Sequence, residues 1–209
     1  MSIVKLNNRA VKDVTSIGSA SSGSINFIKK LTASSSANLS FVHGSSSVVL
    51  DSTYKTYMFI FTDLHYNNDA YRLRINASID SGSNYNVTKT TTFFYGYNSG
   101  SDGANFFGYN TNRDLAQSTD AQPLTFESNI DNYSSSAGIL YLFNPSSTTF
   151  VKNFLAVSND DAQTSGEQGL IQQCHVAGYF NTTSAINAVR FDSDGGNIDA
   201  GNIILYGIN

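Results

Sequence analysis

Apolar residues recur at every second position through most of this chain, starting at Ile25. The segment Tyr71–Ile79 (YRLRINASI) is the clearest case, because its apolar residues alternate with Arg72, Arg74 and Asn76. A repeat of two matches the β-strand, in which successive side chains point to opposite faces. Helical spacing is nearly absent after Ile25. The pattern therefore predicts an all-β fold whose core lies between sheets.

Segments with this alternation, or with a short apolar run, are the predicted strands: Phe27–Leu31, Leu39–His43, Tyr54–Thr62, Tyr71–Ile79, Val87–Tyr95, Leu124–Ile130, Ile139–Phe143, Thr149–Val157, His175–Phe180, Ala188–Phe191 and Ile203–Tyr206. Turn-forming sequences such as Asp80-Ser81-Gly82 and Asn144-Pro145 separate them. Many short strands joined by turns are typical of an antiparallel, jelly-roll-like β-sandwich. Two intervening segments, Asn98–Asn112 and Ser158–Gly169, are predicted to be long loops.

The first 24 residues differ from the rest and are assigned to an N-terminal arm, with residues 25–209 forming the sandwich domain. The arm ends in the Ser/Gly-rich stretch Gly18–Ser24, which has the composition of a linker. Because so short a segment cannot bury its own apolar residues, we expect it to dock on another protein. A frayed tail or a first strand of the domain is the alternative. The anchoring residues proposed are Ile3, Leu6, Arg9, Val11, Val14 and Ile17.

Charge and composition exclude several classes of partner. The net charge is -4 and no basic block is present, whereas binding to nucleic acid needs clustered Lys and Arg. No apolar run is long enough to span a membrane, and Lys5, Arg9 and Lys12 interrupt the first residues, so we expect no signal peptide. The single cysteine, Cys174, leaves no intrachain disulfide to stabilise the fold.

Catalytic and metal-binding patterns are weak. The three histidines match no triad, no Gly-x-Ser-x-Gly turn exists, and nothing in the sequence pairs the two glutamates, Glu127 and Glu167. The chain is therefore predicted not to be an enzyme, with no catalytic residue and no cofactor. The Gly-rich segment that holds Asp192, Asp194 and Asp199 resembles a calcium loop but lacks the EF-hand order, so a plain β-turn is the favoured interpretation.

Aromatic residues crowd around the sequence NSGSDGANFFGYN. Tyrosine beside Asn, Ser and Gly is typical of adaptable recognition surfaces, on which sugar rings could stack. The alternative, which we favour, is that these rings fill the core or pack against a neighbouring subunit. The residues concerned are the candidates for glycan or subunit contact: Tyr95, Tyr97, Phe106, Phe107 and Tyr109.

Six long segments are similar to a family of short proteins encoded by marine bacteriophages, including cyanophage-like ones: SIVKLNNRAVKDVTSIGS, FIKKLTASSSANLSFVHG, SIDSGSNYNVTKTTTFF, LFNPSSTTFVKNF, VAGYFNTTSAINAVRF and GNIDAGNIILYGI. The resemblance spans nearly the whole chain. It implies a structural or fibre-like role in the virion and carries no catalytic motif.

Together, the residues and the resemblance predict a non-enzymatic virion structural protein. We expect it to be made in the host cytoplasm, displayed on the particle surface, joined to other virion proteins through the arm, and assembled as a homotrimer. A capsid decoration or head-fibre protein is favoured. A tail-fibre or receptor-binding module that recognises host glycans is the alternative, and a polysaccharide-degrading enzyme is the third hypothesis.

Overall fold

The computed structural model describes residues 24–68, 71–100, 103–128, 134–162 and 169–209. Within these ranges the chain forms strands, turns and irregular segments, and none of them holds a helix able to cross a membrane. The predicted arm, apart from Ser24, lies outside the described residues. The strands are β1 (Ile25–Thr32), β2 (Asn38–Val42), β3 (Thr56–Tyr66), β4 (Leu73–Ser78), β5 (Lys89–Ser99), β6 (Asn105–Tyr109), β7 (Gln122–Pro123), β8 (Ser136–Phe143), β9 (Lys152–Ala162), β10 (Leu170–Phe180), β11 (Ala188–Ser193) and β12 (Ile198–Ile208).

The strands form two antiparallel sheets of unequal width. The larger has eight strands in the order β1-β12-β3-β8-β9-β10-β5-β6, and the smaller has four in the order β2-β11-β4-β7. Successive strands alternate between the sheets except at β5–β6 and along β8–β9–β10, all of which lie in the larger sheet. Two hairpins, β5–β6 and β9–β10, form one side of this sheet. These hairpins extend the larger sheet well beyond the width of the smaller one.

The smaller sheet packs on one half of the larger sheet. Phe41 of β2 and Phe191 of β11 contact Phe59 of β3, with ring centroids 5.3 and 5.2 Å apart. Their side chains are fully buried, as are those of Ile75 in β4 and Leu205 in β12. The predicted all-β class is confirmed, and the two sheets face each other as in a β-sandwich.

An irregular segment, residues 113–128, covers much of the other half of the larger sheet on the same side. Phe126 stacks on Tyr95 with the ring centroids 4.3 Å apart. The carbonyl of Leu124 accepts a hydrogen bond of 2.6 Å from the Ser158 hydroxyl, and the amide of Glu127 donates to Asp160 at 3.0 Å. Backbone groups of this segment are thus paired by inward side chains of the sheet, which lets a segment with little regular structure be partly buried.

Three of the predicted boundaries are wrong. The expected loop Asn98–Asn112 contains strand β6, which pairs with β5 after a short turn. The expected loop Ser158–Gly169 begins inside β9, which runs to Ala162. The described part of the expected strand Leu124–Ile130, residues 124–128, is irregular apart from an isolated bridge between Ser128 and Tyr71, and strand β7 lies just before it at Gln122–Pro123. Polar composition suggested loops at the first two positions, but hydrogen bonds to the long neighbours β5 and β10 extend the strands there.

Candidate functional site: the outer face of the larger sheet

The larger sheet has an inner face, directed at the core, and an outer face on the opposite side. Strand register fixes which side chains share the outer face, because residues that are directly opposite in adjacent strands point the same way. In β5, for example, Phe93 is fully buried on the inner face, whereas Phe94 points outward with 38% of its surface exposed. The outer face can therefore be followed from β1 to β6 through the register.

Large apolar and aromatic side chains extend across the full width of the outer face, and neutral polar residues such as Thr92, Asn153 and Gln173 lie between them. Its large apolar and aromatic side chains come from all eight strands: Ile25, Phe27, Ile204, Tyr206, Ile208, Met58, Ile60, Ile139, Tyr141, Phe143, Leu155, Val157, Ile171, Tyr179, Phe94, Phe107 and Tyr109. The most exposed are Phe107 at 72%, Phe27 at 63% and Ile171 at 51%. A sheet with one solvated face normally presents polar residues on that face, so this composition is unusual for a surface in water.

Aromatic rings of the outer face contact one another across and along strands. Phe27 meets Tyr206 edge-on at 6.0 Å between centroids, and Phe94 meets Tyr109 in the same way at 5.0 Å. Met58 is nearly buried on this face because Tyr141 and Tyr206 lie opposite it on the two neighbouring strands. The residues thus form a continuous layer rather than scattered apolar side chains.

Charge is almost absent from this layer. Among the described outer-facing residues that are in regular register, Lys30 near one edge and Asp161 at one end of β9 carry the formal charges. The Asp161 carboxylate accepts a hydrogen bond of 2.9 Å from the amide of Ser135. The face consequently has little to attract a strongly charged partner.

Small residues create two shallow depressions in the layer. One, of about 380 Å³, lies where Thr90, Thr92 and Ala177 stand between Asn153 and Tyr179. The other, of about 240 Å³, lies over Gly96 and is bordered by Asn98, Ile171 and Gln173. The larger side chains nearby, including Leu155 and Phe107, stand above these hollows, so the surface has both projections and recesses.

The five aromatic candidates predicted from the sequence do not form one patch. Phe107 and Tyr109 lie on the outer face, whereas Tyr95, Tyr97 and Phe106 lie on the inner side, where Tyr95 and Phe106 have centroids 4.9 Å apart. The predicted grouping is wrong because Asn105–Tyr109 forms strand β6, in which neighbours alternate between faces. Tyr109 donates a hydrogen bond of 2.5 Å to Asp114, and this bond raises the pKa of Tyr109.

The three aspartates considered for calcium have other partners. Asp192 pairs with Arg74 at 2.9 Å and with Arg190 at 3.3 Å, and Asp194 pairs with Arg72. Asp199 accepts a 2.6 Å hydrogen bond from Ser35. The described part of the chain contains no group of three or more His, Cys, Asp or Glu side chains placed to hold a metal ion. These carboxylates thus stabilise the turn between β11 and β12 and the residues next to it.

The inner side of the sheet holds several buried ionisable groups. Burial raises the pKa of Asp160 to about 8 and also raises that of Cys174. Burial lowers the pKa of Lys89 to about 8, and its ammonium group donates to the carbonyl of Asp120. Glu127 joins Arg72 and Arg113 at 2.9 and 2.7 Å. Asp160, Lys89 and Glu127 bond to groups of the covering segments, and a buried thiol with a raised pKa is a poor nucleophile.

The arm residues proposed as anchors, Ile3, Leu6, Arg9, Val11, Val14 and Ile17, lie outside the described residues. Sequence reasoning also missed the outer face as a unit. Its signal was present in continuous apolar runs such as Tyr57–Phe61 and Ile139–Phe143, which are typical of strands covered on both faces.

Comparison with family models, with curated proteins and with solved structures finds no match to this chain.

Proposed function

We propose that this chain is a non-enzymatic structural protein of a bacteriophage particle, displayed on the virion surface. The observation that carries the proposal is the apolar outer face of the larger sheet, which is suited to permanent contact with protein and unsuited to an isolated monomer in water. The resemblance to short marine phage proteins agrees with this role. A capsid decoration or head-fibre protein is favoured, with the chain assembled as a homotrimer.

A jelly roll is the architecture proposed for the domain. The support comes from the strand order: β1-β12-β3-β8 lies in one sheet, and β2-β11-β4-β7 lies in the other. When the hairpins β5–β6 and β9–β10 are set aside, these eight strands alternate between the sheets along the chain except at β4 and β7, which are neighbours in the smaller sheet, as in a sandwich of two Greek keys. The two hairpins are then insertions that widen one sheet and so enlarge the outer face.

Residues 1–24 are proposed to anchor the domain to other virion proteins. The described chain begins at Ser24, whose carbonyl accepts a hydrogen bond from Asn209 at the outer edge of β1. An arm that leaves from an edge strand can extend away from the sandwich without disturbing its core.

A receptor-binding module that grips host glycans is the second candidate. It is favoured by Phe107, which is highly exposed beside the depression over Gly96, where the amides of Asn98 and Gln173 could bind hydroxyl groups. The larger part of the outer face is not explained by a sugar site, because the outward side chains of β1, β12, β3 and β8 are mostly large and apolar.

Quantification of the chain in purified virions tests the proposal. A decoration protein is expected at copy numbers on the order of hundreds per particle, because it follows the symmetry of the shell, whereas a fibre is expected at tens or fewer. A stained gel calibrated against the major capsid protein measures this. A chain found only in infected-cell lysate, and absent from particles, would refute a virion role.

The same preparation examines the arm. Val14→Asp in the full chain should reduce incorporation into particles, because a charge would have to be buried in the proposed contact. Asp13→Asn changes a charge in the neighbouring residue and is the control for the position. Equal incorporation of both variants and the unmodified chain would contradict anchoring by this segment.

A further inference from the structure

The outer face requires a covering partner on physical grounds. Exposed apolar patches on monomeric proteins rarely exceed a few hundred Å². Eight strands spaced about 4.8 Å apart span roughly 38 Å, and strands of five to eleven residues at about 3.3 Å per residue are on average about 30 Å long. The flat area of the face is therefore roughly 1,100 Å², about half of it lined by large apolar and aromatic side chains, whereas a stable protein interface of standard size buries about 800 Å² on each partner.

Residues 1–24 are too few to cover this face. A fully extended chain of 24 residues is about 80 Å long but only one strand, or roughly 5 Å, wide. It would cover about 400 Å², or roughly a third of the flat area, so most of the layer would still be in contact with water.

The chemistry of the face favours a second copy of the same chain. Its near absence of charge means that two copies can approach without repulsion between like charges, and that a strongly acidic or basic partner gains nothing. Projections such as Leu155, Ile171 and Phe107 lie beside the two depressions on one surface. A surface with both features can fit itself, as symmetric association requires.

We propose that the outer face of the larger sheet packs against the outer faces of further copies of this chain. This inference deepens the proposed function, since it names the surface that holds the expected homotrimer together. Sheets that pack face to face bury both apolar layers at about 10 Å separation, as in the core of a sandwich. The subunit then has two cores: one within the chain and one shared between copies.

Light scattering on the purified full chain at about 10 μM, a concentration at which an obligate interface is occupied, tests the inference. The expected mass is a whole multiple of the 22.6 kDa of one chain, and three times that value for the trimer. A single monomeric species under these conditions would overturn the proposal. This measurement uses no virions. A monomeric result would therefore leave the proposed function to be tested separately, by the copy number in particles.

Ile171→Glu locates the interface. The side chain is 51% exposed near the start of β10, opposite Asp161 of β9 and Asn98 of β5, so a carboxylate there is tolerated in one copy but buried between copies. We expect the dissociation constant to rise by about 100-fold or more. Ile79→Glu is the matched control, because Ile79 is 44% exposed and follows β4 of the smaller sheet. Equal effects of the two changes would overturn the assignment.

Leu155→Glu, on the neighbouring strand β9, repeats the test at a second position. It should act like Ile171→Glu, with an unchanged circular dichroism spectrum showing that the monomer stays folded. Oligomers that persist undiminished in both folded variants would place the interface elsewhere and refute the proposal.

Discussion

The two faces of the larger sheet have similar apolar composition but very different surroundings. The inner face is covered by the smaller sheet and by residues 113–128, and it tolerates buried ionisable groups because backbone atoms of the covering segments hydrogen-bond to them. The outer face has no such cover within the described chain and carries almost no charge. Burial within a chain thus permits ionisable groups with fixed partners, whereas the core of an interface between chains is depleted in charged residues.

Adjacent phenylalanines in β5 give the largest expected contrast. Phe93→Ala should lower the free energy of unfolding by about 3–5 kcal/mol, because it leaves a cavity in the inner core. Phe94→Ala removes a half-exposed ring that meets Tyr109 and should cost under about 1 kcal/mol in the monomer. Chemical denaturation in the Ile171→Glu background, where we expect the chains to be monomeric, measures both.

The same pair separates stability from assembly. In the chain without Ile171→Glu, Phe94→Ala should weaken the oligomer although it hardly changes the monomer. Similar losses of monomer stability at both positions would mean that the outer face is covered within one chain, and the contrast between the faces would disappear.

Asp160 and Asp161 extend the comparison to pH. Burial raises the pKa of Asp160 from 3.8 to about 8. Below about pH 4 the folded and unfolded chains both hold this proton. Between pH 4 and 8 the unfolded chain releases it while the folded chain keeps it, so stability falls as pH rises through this window and levels off above it.

Asp160→Asn should remove this fall. The variant is expected to gain on the order of 2–3 kcal/mol over the unmodified chain between pH 5 and pH 8, measured by denaturation across the range. Asp161→Asn removes the same formal charge from the outer face and is the control. If the free energy of unfolding falls equally steeply with pH in the Asp160→Asn variant and in the unmodified chain, another group causes the fall.

Alternation predicted the strands well where one side of a strand meets water or polar atoms. Tyr71–Ile79 contains β4, and its Arg72 and Arg74 lie on the side that pairs with the aspartates of the neighbouring turn. The alternation also correctly separated Cys174 from His175. Local spacing is sufficient in these cases because the period of a strand directly determines the face.

The ends of the strands, and the groups that lie against each face of the sheet, could not be predicted in the same way. The sequence Ser158-Asn159-Asp160-Asp161 has the composition of a loop, yet it continues β9 because β8 and β10 supply hydrogen bonds on both sides. The inward position of Asp160 depends on an amide of residue 127, which is distant in sequence. Aromatic clustering around residue 107 likewise did not reveal that residues 105–109 would form a strand, which places neighbours on opposite faces.

Two glycines give the smallest contrast between the faces. A Cβ at Gly138 on the inner side would lie 2.5 Å from the Phe61 ring and 2.6 Å from the Val157 carbonyl oxygen. Because backbone oxygen cannot move aside cheaply, Gly138→Ala should destabilise the chain by about 1–3 kcal/mol. At Gly96 on the outer side the nearest atoms, in Phe107 and the Phe106 carbonyl, are 3.0 and 3.1 Å away.

Gly96→Ala should therefore cost less than Gly138→Ala, because the exposed Phe107 ring can tilt into solvent in the monomer. The thermal unfolding midpoints of the two variants, again in the Ile171→Glu background, measure the difference. Without that substitution, Gly96→Ala fills the smaller depression and displaces a projecting ring, so it should weaken assembly beyond its small effect on the monomer. Oligomers unaffected by Gly96→Ala would remove this depression from the interface and restrict the shared core to the strands from β1 to β9.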